Sequence, residues 1–339
     1  MTKQGRLLLG GAPSFVSANV AIKVFLGYSW SMVQIASSDN SCRLDVRFFA
    51  PPEEFEPCFT TIYRLEIALE DGAQVTDYLQ PEWSNLRFFC GSGPESQIYD
   101  HRGASAPSAT GARFQATGPT ARPVRFTIGN TRLWGIGLKP LGWARYVGQP
   151  ADGAVDYICD GENDPLFAAF APLCDILCNR DLSDEEQFEG ILDFFRRHPG
   201  QTRDEERILA IHEAMVDPYL TCTEDFAGGA RMHKRTLERL CRRHFGFSPR
   251  LLLRRQRMMR SLMAFMLSDG DSWTRSIDRH YHDQSHFVRE FHSFMGMSPS
   301  EYAALPHPIL TAFIAERQRI WGSPAQTLDA PRQAHSSSI

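Results

Sequence analysis

HDQSHFVREFHSFMGMSP, residues 282–299, decides the reading of this chain, because its last eight residues echo RRHFGFSP at 242–249. In both copies an aromatic residue precedes a glycine suited to close a helix in the left-handed conformation, and Ser-Pro opens the next helix. A short helix-forming stretch stands before each copy. The span from Thr223 to Tyr302 therefore reads as the same unit used twice: short helix, turn, longer helix. A duplicated helix-turn-helix suits two neighbouring segments of a DNA major groove.

The first unit opens with Thr223 as N-cap of EDFAGG, with Phe226 and Ala227 facing inward. Ala227 is small enough for two short helices to cross closely. HKRTLERLCRRHF then carries an apolar seam at Leu237, Leu240, Cys241 and Phe245. Its outward positions are Lys234, Arg235, Glu238, Arg239, Arg242 and Arg243. Arginine can fork onto guanine, and a carboxylate can accept from cytosine, so this face holds both phosphate and base-edge chemistry. Glu238 can equally pair with Arg235, Arg239 or Arg242. RLLLRRQRMMRSLMAFML, 250–267, follows as a helix of about 27 Å at 1.5 Å per residue. That is long enough to hold two recognition helices in adjacent turns of one groove.

In the second unit Phe287 and Phe291 face inward. Gln284, Ser285, Val288 and Arg289 are left for adenine, close approach, a thymine methyl, and phosphate or guanine. His280, His282 and His286 offer one i,i+4 pair but neither an intervening glutamate nor a third ligand, so no metal site is expected. Met residues of the long helix read as core filler.

YHDQSHFVREF with GMSPSEY, and RTLERL with FGFSP, resemble the AraC-type (AraC/XylS) family of transcriptional regulators over about eighty residues. The resemblance implies a seven-helix DNA-binding domain, a sensory or dimerising N-terminal domain, and action through promoter double-stranded DNA and RNA polymerase as activator or repressor. It places base contacts on Arg235, Glu238 and Arg239 in the first unit, and on Gln284, Ser285, Val288 and Arg289 in the second. Against the family pattern, Arg275 stands where an aliphatic packing residue is usual, Ser276 replaces alanine, and His280 replaces a turn glycine. These departures predict strain in the second unit, which is then either loosely packed or docked mainly on phosphate while the first unit supplies specificity. PEWSNLRFF and WGIGLKPLGWARY resemble an uncharacterised subgroup of the same regulators.

Charge divides along the chain. The formal net charge is -4, with 17 Lys/Arg against 24 Asp/Glu in residues 1–200 and 19 against 16 in 201–339. Residues 230–260 hold 11 basic residues and one acid, Glu238, which points to a polyanionic partner for the second half.

Upstream, RLDVRFF, CFTTIYRLEIAL, QVTDYL, LRFFCG and PVRFTIG read as strands between Pro, Gly and Asp. AIKVFLGYSWSMVQIA favours strands weakly. Alternation in IYRLEIAL suits an antiparallel sheet with one face on a core and the other nearer solvent. Residues 92–112 read as a loop or ragged hairpin. Glycines among tryptophans in TRLWGIGLKPLGWARYVG break the strand pattern and carry the chain from the sheet into a helical segment. DPLFAAFAPLCDILCNR and SDEEQFEGILDFFRRH are amphipathic helices, the second with a Ser183/Glu186 capping box. Trp83, Phe88, Phe89, Trp134 and Trp143 could line an apolar effector pocket or serve as core.

The fold class expected is α+β multidomain. A mainly antiparallel β sensory-type domain with following helices occupies 1–200. An all-α double helix-turn-helix domain follows at 201–305, then a terminal helix and loose tail at 306–339. With no leader-like start and no long apolar run, the expected compartment is the bacterial cytoplasm, near the nucleoid, without membrane association. Eight cysteines suit reduced, buried thiols. No cofactor is indicated.

The DNA-binding set is Lys234, Arg235, Glu238, Arg239, Arg243, Gln284, Ser285, Val288 and Arg289. Partners expected are promoter DNA, RNA polymerase, a small-molecule effector and a second copy of the chain. A metabolite-acting enzyme or a protein-binding module carrying these helices is the alternative. The enzyme reading lacks any G-x-S-x-G, Walker, Rossmann or H-E-x-x-H pattern.

Overall fold

Aromatic and β-branched runs between residues 15 and 160 build two antiparallel sheets. The computed structural model describes residues 15–25, 28–37, 42–70, 72–100, 106–268 and 273–331, with side chains from residue 42 onward. Residues 1–14 and the tail end at 332–339 lie outside the described residues.

The larger sheet runs β1 (Phe15–Phe25), β2 (Tyr28–Ser37), β3 (Cys42–Phe49), β4 (Phe59–Leu69), β11 (Thr131–Leu138), β6 (Ser84–Phe89), β9 (Phe114–Thr117) and β12 (Ile158–Asp160). The smaller is β5 (Val75–Leu79), β10 (Val124–Ile128), β7 (Glu95–Ile98) and β8 (Ser108–Thr110). The first 40 residues thus contribute a strand pair, and 92–112 supplies the β7–β8 hairpin arms.

Two expectations for this half are corrected. TRLWGIGL is a full strand, not a break: its glycines admit side chains of the neighbouring β4. A Cβ at Gly135 would stand 2.2 Å from the Tyr63 ring, and one at Gly137 would stand 2.0 Å from Thr60 Oγ1. Nor does either face of β4 reach solvent at its middle. Tyr63, Leu65 and Ile67 join one core cluster, Ile62 joins another, and Arg64 is 4% exposed. The covering element is α3 (Asp184–Arg197), whose first residue, Asp184, receives Arg64 Nε at 3.2 Å and Arg47 at 2.9 Å. The Ser183/Glu186 capping box forms as expected, placing that carboxylate at the positive end of the helix.

After β11 the chain makes α1 (Pro140–Gly142) and a π-turn, Trp143–Val147, closed by Gly148 at φ 72°. DPLFAAFAPLCDILCNR forms no long helix. Pro172 limits it to a 3-10 turn and α2 (Leu173–Leu177). Cys178 at its end forms a disulfide with Cys90, with Cα atoms 4.9 Å apart. The expectation of thiols throughout is corrected for this pair. Cys58, Cys159, Cys174, Cys222 and Cys241 are free thiols, all but Cys222 buried.

The C-terminal half is helical: α4 (Glu205–Val216), α5 (Thr223–Gly229), α6 (Lys234–Leu240), α7 (Pro249–Leu267), α8 (Trp273–Ser276), α9 (Gln284–Met295), α10 (Pro299–Ala304) and α11 (Leu310–Trp321). Among the described residues no helix is long and apolar enough to cross a membrane.

The halves do not keep separate cores. One apolar cluster runs from Phe49 and Trp83 through Phe195, Ile211 and Phe245 to Met259 and Phe291. The segment 323–331, expected as loose tail, is packed. Ala325 and Thr327 are buried, Gln256 of α7 donates to Thr327 O at 2.6 Å, and Lys139 Nζ donates to Pro331 O at 3.1 Å. The aromatic residues offered as a pocket lining are mostly core. Trp83, Phe88, Trp134 and Trp143 are at most 1% exposed, and Phe89 alone of that set faces the cavity described below.

His212 on α4 sits at the seam of the halves, 1% exposed and edge-on to Trp83 and Phe245. Burial, then the charge of Lys139, push its pKa down to about 3 against a weaker opposing hydrogen bond to the Asp329 backbone. Its folded pKa is therefore depressed below the unfolded value near 6.5. Neutral His212 costs nothing above that pH, and stability falls as pH drops from about 6.5 toward 3, by at most about 1.4 kcal/mol per unit. Urea unfolding of wild type and His212→Gln between pH 7 and 4 should show a steeper acid loss in wild type. Parallel curves would mean that His212 is not the titrating group.

Candidate nucleic-acid interface

Each unit is assembled from a cap, a seam and an outward face. In the first, α5 is capped by Cys222, whose sulfur accepts from Asp225 N, with Thr223 as the first helical residue. The turn after α5 places Arg231 at φ 54°, a left-handed conformation that the sequence did not mark with glycine. Recognition helix α6 starts at Lys234 and continues as a π-turn, Cys241–Phe245, ending at Gly246 with φ 83°. Leu237, Leu240, Cys241 and Phe245 are fully buried, as the spacing predicts.

Lys234, Arg235, Arg239, Arg242 and Arg243 are exposed. Glu238 pairs with Arg242 Nε at 2.8 Å across one helical turn, and Lys234 pairs with Glu224. A cationic face with one carboxylate in its midst thus stands open. The Gly246 turn at its far end packs on the N-terminal half, where a Cβ would come within 2.8 Å of Val155 Cγ1.

The second unit is better braced than its sequence suggests. Arg275 is exposed while Ser276 is buried, so no guanidinium occupies the packing position. Trp273 fills that role, stacked on Phe265 at 3.8 Å and packed against Phe287 and Phe291. His280 has no positive φ, and its Nδ1 meets Asp278 at 2.9 Å. The expected strain at His280 and the apolar slot for Arg275 are both corrected.

Recognition helix α9 is capped by Asp283, which accepts from His286 N at 2.6 Å, and closes at Gly296 with φ 70°. Phe287 and Phe291 are buried. Gln284, Ser285, Val288 and Arg289 lie exposed, with Val288 at 36% among the few exposed large apolar side chains described.

One component had been singled out from the sequence only at Arg254, as a phosphate contact. Arg250, Arg254, Arg257 and Arg260 follow helical spacing along α7 and line an open cleft with Glu224, His280, His286 and Glu290. The 4-3-3 interval was the available signal. Glu290, 3% exposed, collects Arg254 Nε at 2.8 Å, Arg257 Nη2 at 2.7 Å and the Tyr281 hydroxyl at 2.7 Å. Burial alone would raise its carboxyl, but the hydrogen bonds from Arg254, Arg257 and Tyr281 outweigh that and hold its pKa below the usual value. Arg254 is therefore tied to α9 as well as available to the cleft.

Glu290→Gln should loosen α9 from α7, costing about 3 kcal/mol as two guanidiniums lose a buried partner. The native carboxylate's contribution is present above pH 4.5 and lost as pH falls through its depressed folded pKa. Unfolding at pH 7 and hydrogen exchange of α9 amides read both effects. An unchanged exchange rate would show that the network does not hold the helix.

Residues 226–304 match the family model described as a helix-turn-helix domain. No curated protein matches the chain. Among solved structures it is similar to the ToxT protein of Vibrio cholerae, 15% identical over 68% of this chain and 97% of that one, with a TM-score of 0.39. The same protein bound to (E)-4-(8-methylnaphthalen-1-yl)but-3-enoic acid gives 15% identity, 68% and 98% coverage, and a TM-score of 0.38. Its unsaturated fatty acid-bound form gives 12%, 69% and 95%, and 0.36. Those superpositions are loose, whereas the domain match falls on the two units built above.

Proposed function

We propose that this chain is a sequence-specific, double-stranded DNA-binding regulator of transcription, of the AraC type. The observation that carries the reading is the pair of recognition helices. Each backs an exposed polar face with a buried apolar seam, and α7 joins them. The helix-turn-helix match over 226–304 supports it.

In this reading Arg235, Glu238 and Arg239 address base edges from α6, and Gln284, Ser285, Val288 and Arg289 do so from α9. Lys234 and Arg243 reach flanking phosphates, as does Arg250 from the cleft between the helices. The Glu238–Arg242 pair fits such a role, since an exposed ion pair of this kind is worth under about 1 kcal/mol and exchanges readily for a base contact. The resemblance to the family adds RNA polymerase, a second copy of the chain and a small-molecule effector as partners, and the bacterial cytoplasm as the compartment.

Selection of bound duplexes from a random pool should yield a discrete site. Against that site Arg239→Ala should cost about 1–3 kcal/mol, with much less effect on random duplex. Arg250→Ala should weaken both about equally and make the salt dependence shallower by about one phosphate contact. Competitive titrations at fixed salt read both variants. Retention of no sequence class in the selection would overturn the reading, and an equal loss for Arg239→Ala would remove that residue from base recognition.

A further inference from the structure

The two sheets of the N-terminal half do not close on each other completely. A cavity of about 90 Å³ remains between β4 and β11 on one side and β5 and β10 on the other, walled by Leu65, Leu133, Phe89, Phe126 and Ile128. Its remaining wall comes from beyond the helix-turn-helix units. Helix α11 turns Leu310, Phe313 and Arg317 into the cavity. Phe313 is held edge-on by Phe48 at 5.0 Å and by Tyr63 at 4.9 Å.

The polar chemistry of the wall selects among ligands. Arg87 lines the cavity, but its guanidinium is taken by Glu82 at 2.6 Å, and Arg317 is taken by Asp329. A carboxylate entering here would shed its hydration and meet no uncommitted cation. Gln80 differs: its Oε1 is buried with no hydrogen-bond partner among the described residues, while its Nε2 reaches only the Met263 sulfur at 4.0 Å. A hydroxyl is the group that satisfies such an amide, and it does so in either orientation of the amide. The surrounding phenylalanines and aliphatic side chains suit a ring.

Size adds a constraint. An apolar cavity of about 150 Å³ accommodates benzene, so the space here is too small for a ring while α11 is seated. The sheet walls are tied by their ladders. The helix is tied at both ends as well as along its buried side, where Ile314 is fully buried and Arg317 Nε donates to Thr61 Oγ1 at 3.3 Å. The Asp77 carboxylate of β5 accepts from Ile309 N at 2.9 Å, Leu310 N at 2.8 Å and His307 Nδ1 at 3.0 Å, capping the helix from the opposite half of the molecule. At the other end Arg317 meets Asp329 in the segment that also binds Asn85 through Gln326 and α7 through Thr327 O.

We propose that this cavity is a binding site for a small neutral ring compound bearing a hydroxyl group, such as a phenol, and that α11 is the lid that must shift to admit it. Because the chain after α11 is fastened to α7, a shift of the lid loosens the helix that joins the two recognition helices. The site itself does not rest on the DNA reading, and a failure to retain DNA would leave the binding measurements below untouched.

Calorimetric titration of the full chain with p-cresol, toluene and p-toluate tests it. p-Cresol should bind saturably, toluene about tenfold more weakly for want of one hydrogen bond, and p-toluate not at all. Gln80→Leu should bring p-cresol down to the level of toluene and leave toluene unchanged. Ile128→Phe, which fills the cavity away from the lid anchors, should abolish both with melting preserved. Asp77→Asn, which weakens the helix cap, should tighten both ligands because less of the closed state must be displaced. In wild type, p-cresol should shift the emission of Trp321, which packs on Phe48 at 5.2 Å, identified by its loss in Trp321→Phe. Absence of saturable p-cresol binding, tighter binding of p-toluate, or a hydroxyl preference surviving Gln80→Leu would overturn the site. Binding with no change at Trp321 and no gain in Asp77→Asn would overturn the lid.

Discussion

One buried guanidinium holds the two halves in register. Arg255, on the side of α7 away from the cleft, is fully buried, with its Cζ 4.2 Å from the Trp83 ring and Nη1 donating to Thr120 O at 2.9 Å. Its Nε and Nη2 have no hydrogen-bond partner among the described residues. Burial pushes its pKa down to about 9, with Asp156 opposing, so it stays charged at neutral pH. A desolvated cation satisfied by a ring face and one carbonyl is a costly anchor, and apolar replacement of such groups is often neutral or stabilising. The arrangement sets α7 against the N-terminal half at the point where Trp83 and Thr120 stand together.

That placement governs the rest. Helix α7 carries the cleft arginines on one side and Arg255 and Gln256 on the other, so the rod that joins α6 and α9 is itself docked on the N-terminal half through Arg255 and on the C-terminal segment through Gln256. The Gly246 turn of the first unit rests on the same half, while α9 is held to α7 through Glu290 and packs on Trp273 through Phe287 and Phe291. The two units are thus braced differently, the first against the β-rich half and the second by a carboxylate that gathers two arginines and a tyrosine. The core behind them is continuous, and buried residues of the helical half share it with those of the β-rich half.

Much of this was legible in the chain. The caps at Ser183, Ser248 and Ser298 form, as do both glycine closures and the seam of Leu237, Leu240 and Phe245, whereas the cap expected at Thr223 falls on Cys222. Those are local: a hydroxyl or carboxylate three residues from an amide, or apolar side chains repeating every three to four residues, need no distant partner to be read. The exposed positions on α6 and α9 follow from the same periodicity. Two of the misreadings involve a partner far along the chain, and a third involves a neighbour that was overlooked. Gly135 looked like a breaker because Tyr63, which crosses it, lies 72 residues away. Arg275 looked buried because Trp273 was not recognised as the residue that fills the crossing. Residues 323–331 looked loose because their anchors, Asn85, Lys139 and Gln256, lie in three other elements.

By itself, then, the sequence determined that two helix-turn-helix units follow a β-rich half and which side chains each recognition helix turns outward, because periodicity and capping are properties of neighbours along the chain. Only the tertiary structure decided that the two halves share a core, that Asp77 caps a helix some 230 residues distant, and that this helix closes a cavity between the sheets. Those features depend on side chains meeting across long chain separations, where hydrogen-bond geometry and packing volume choose the partner and no local pattern announces it.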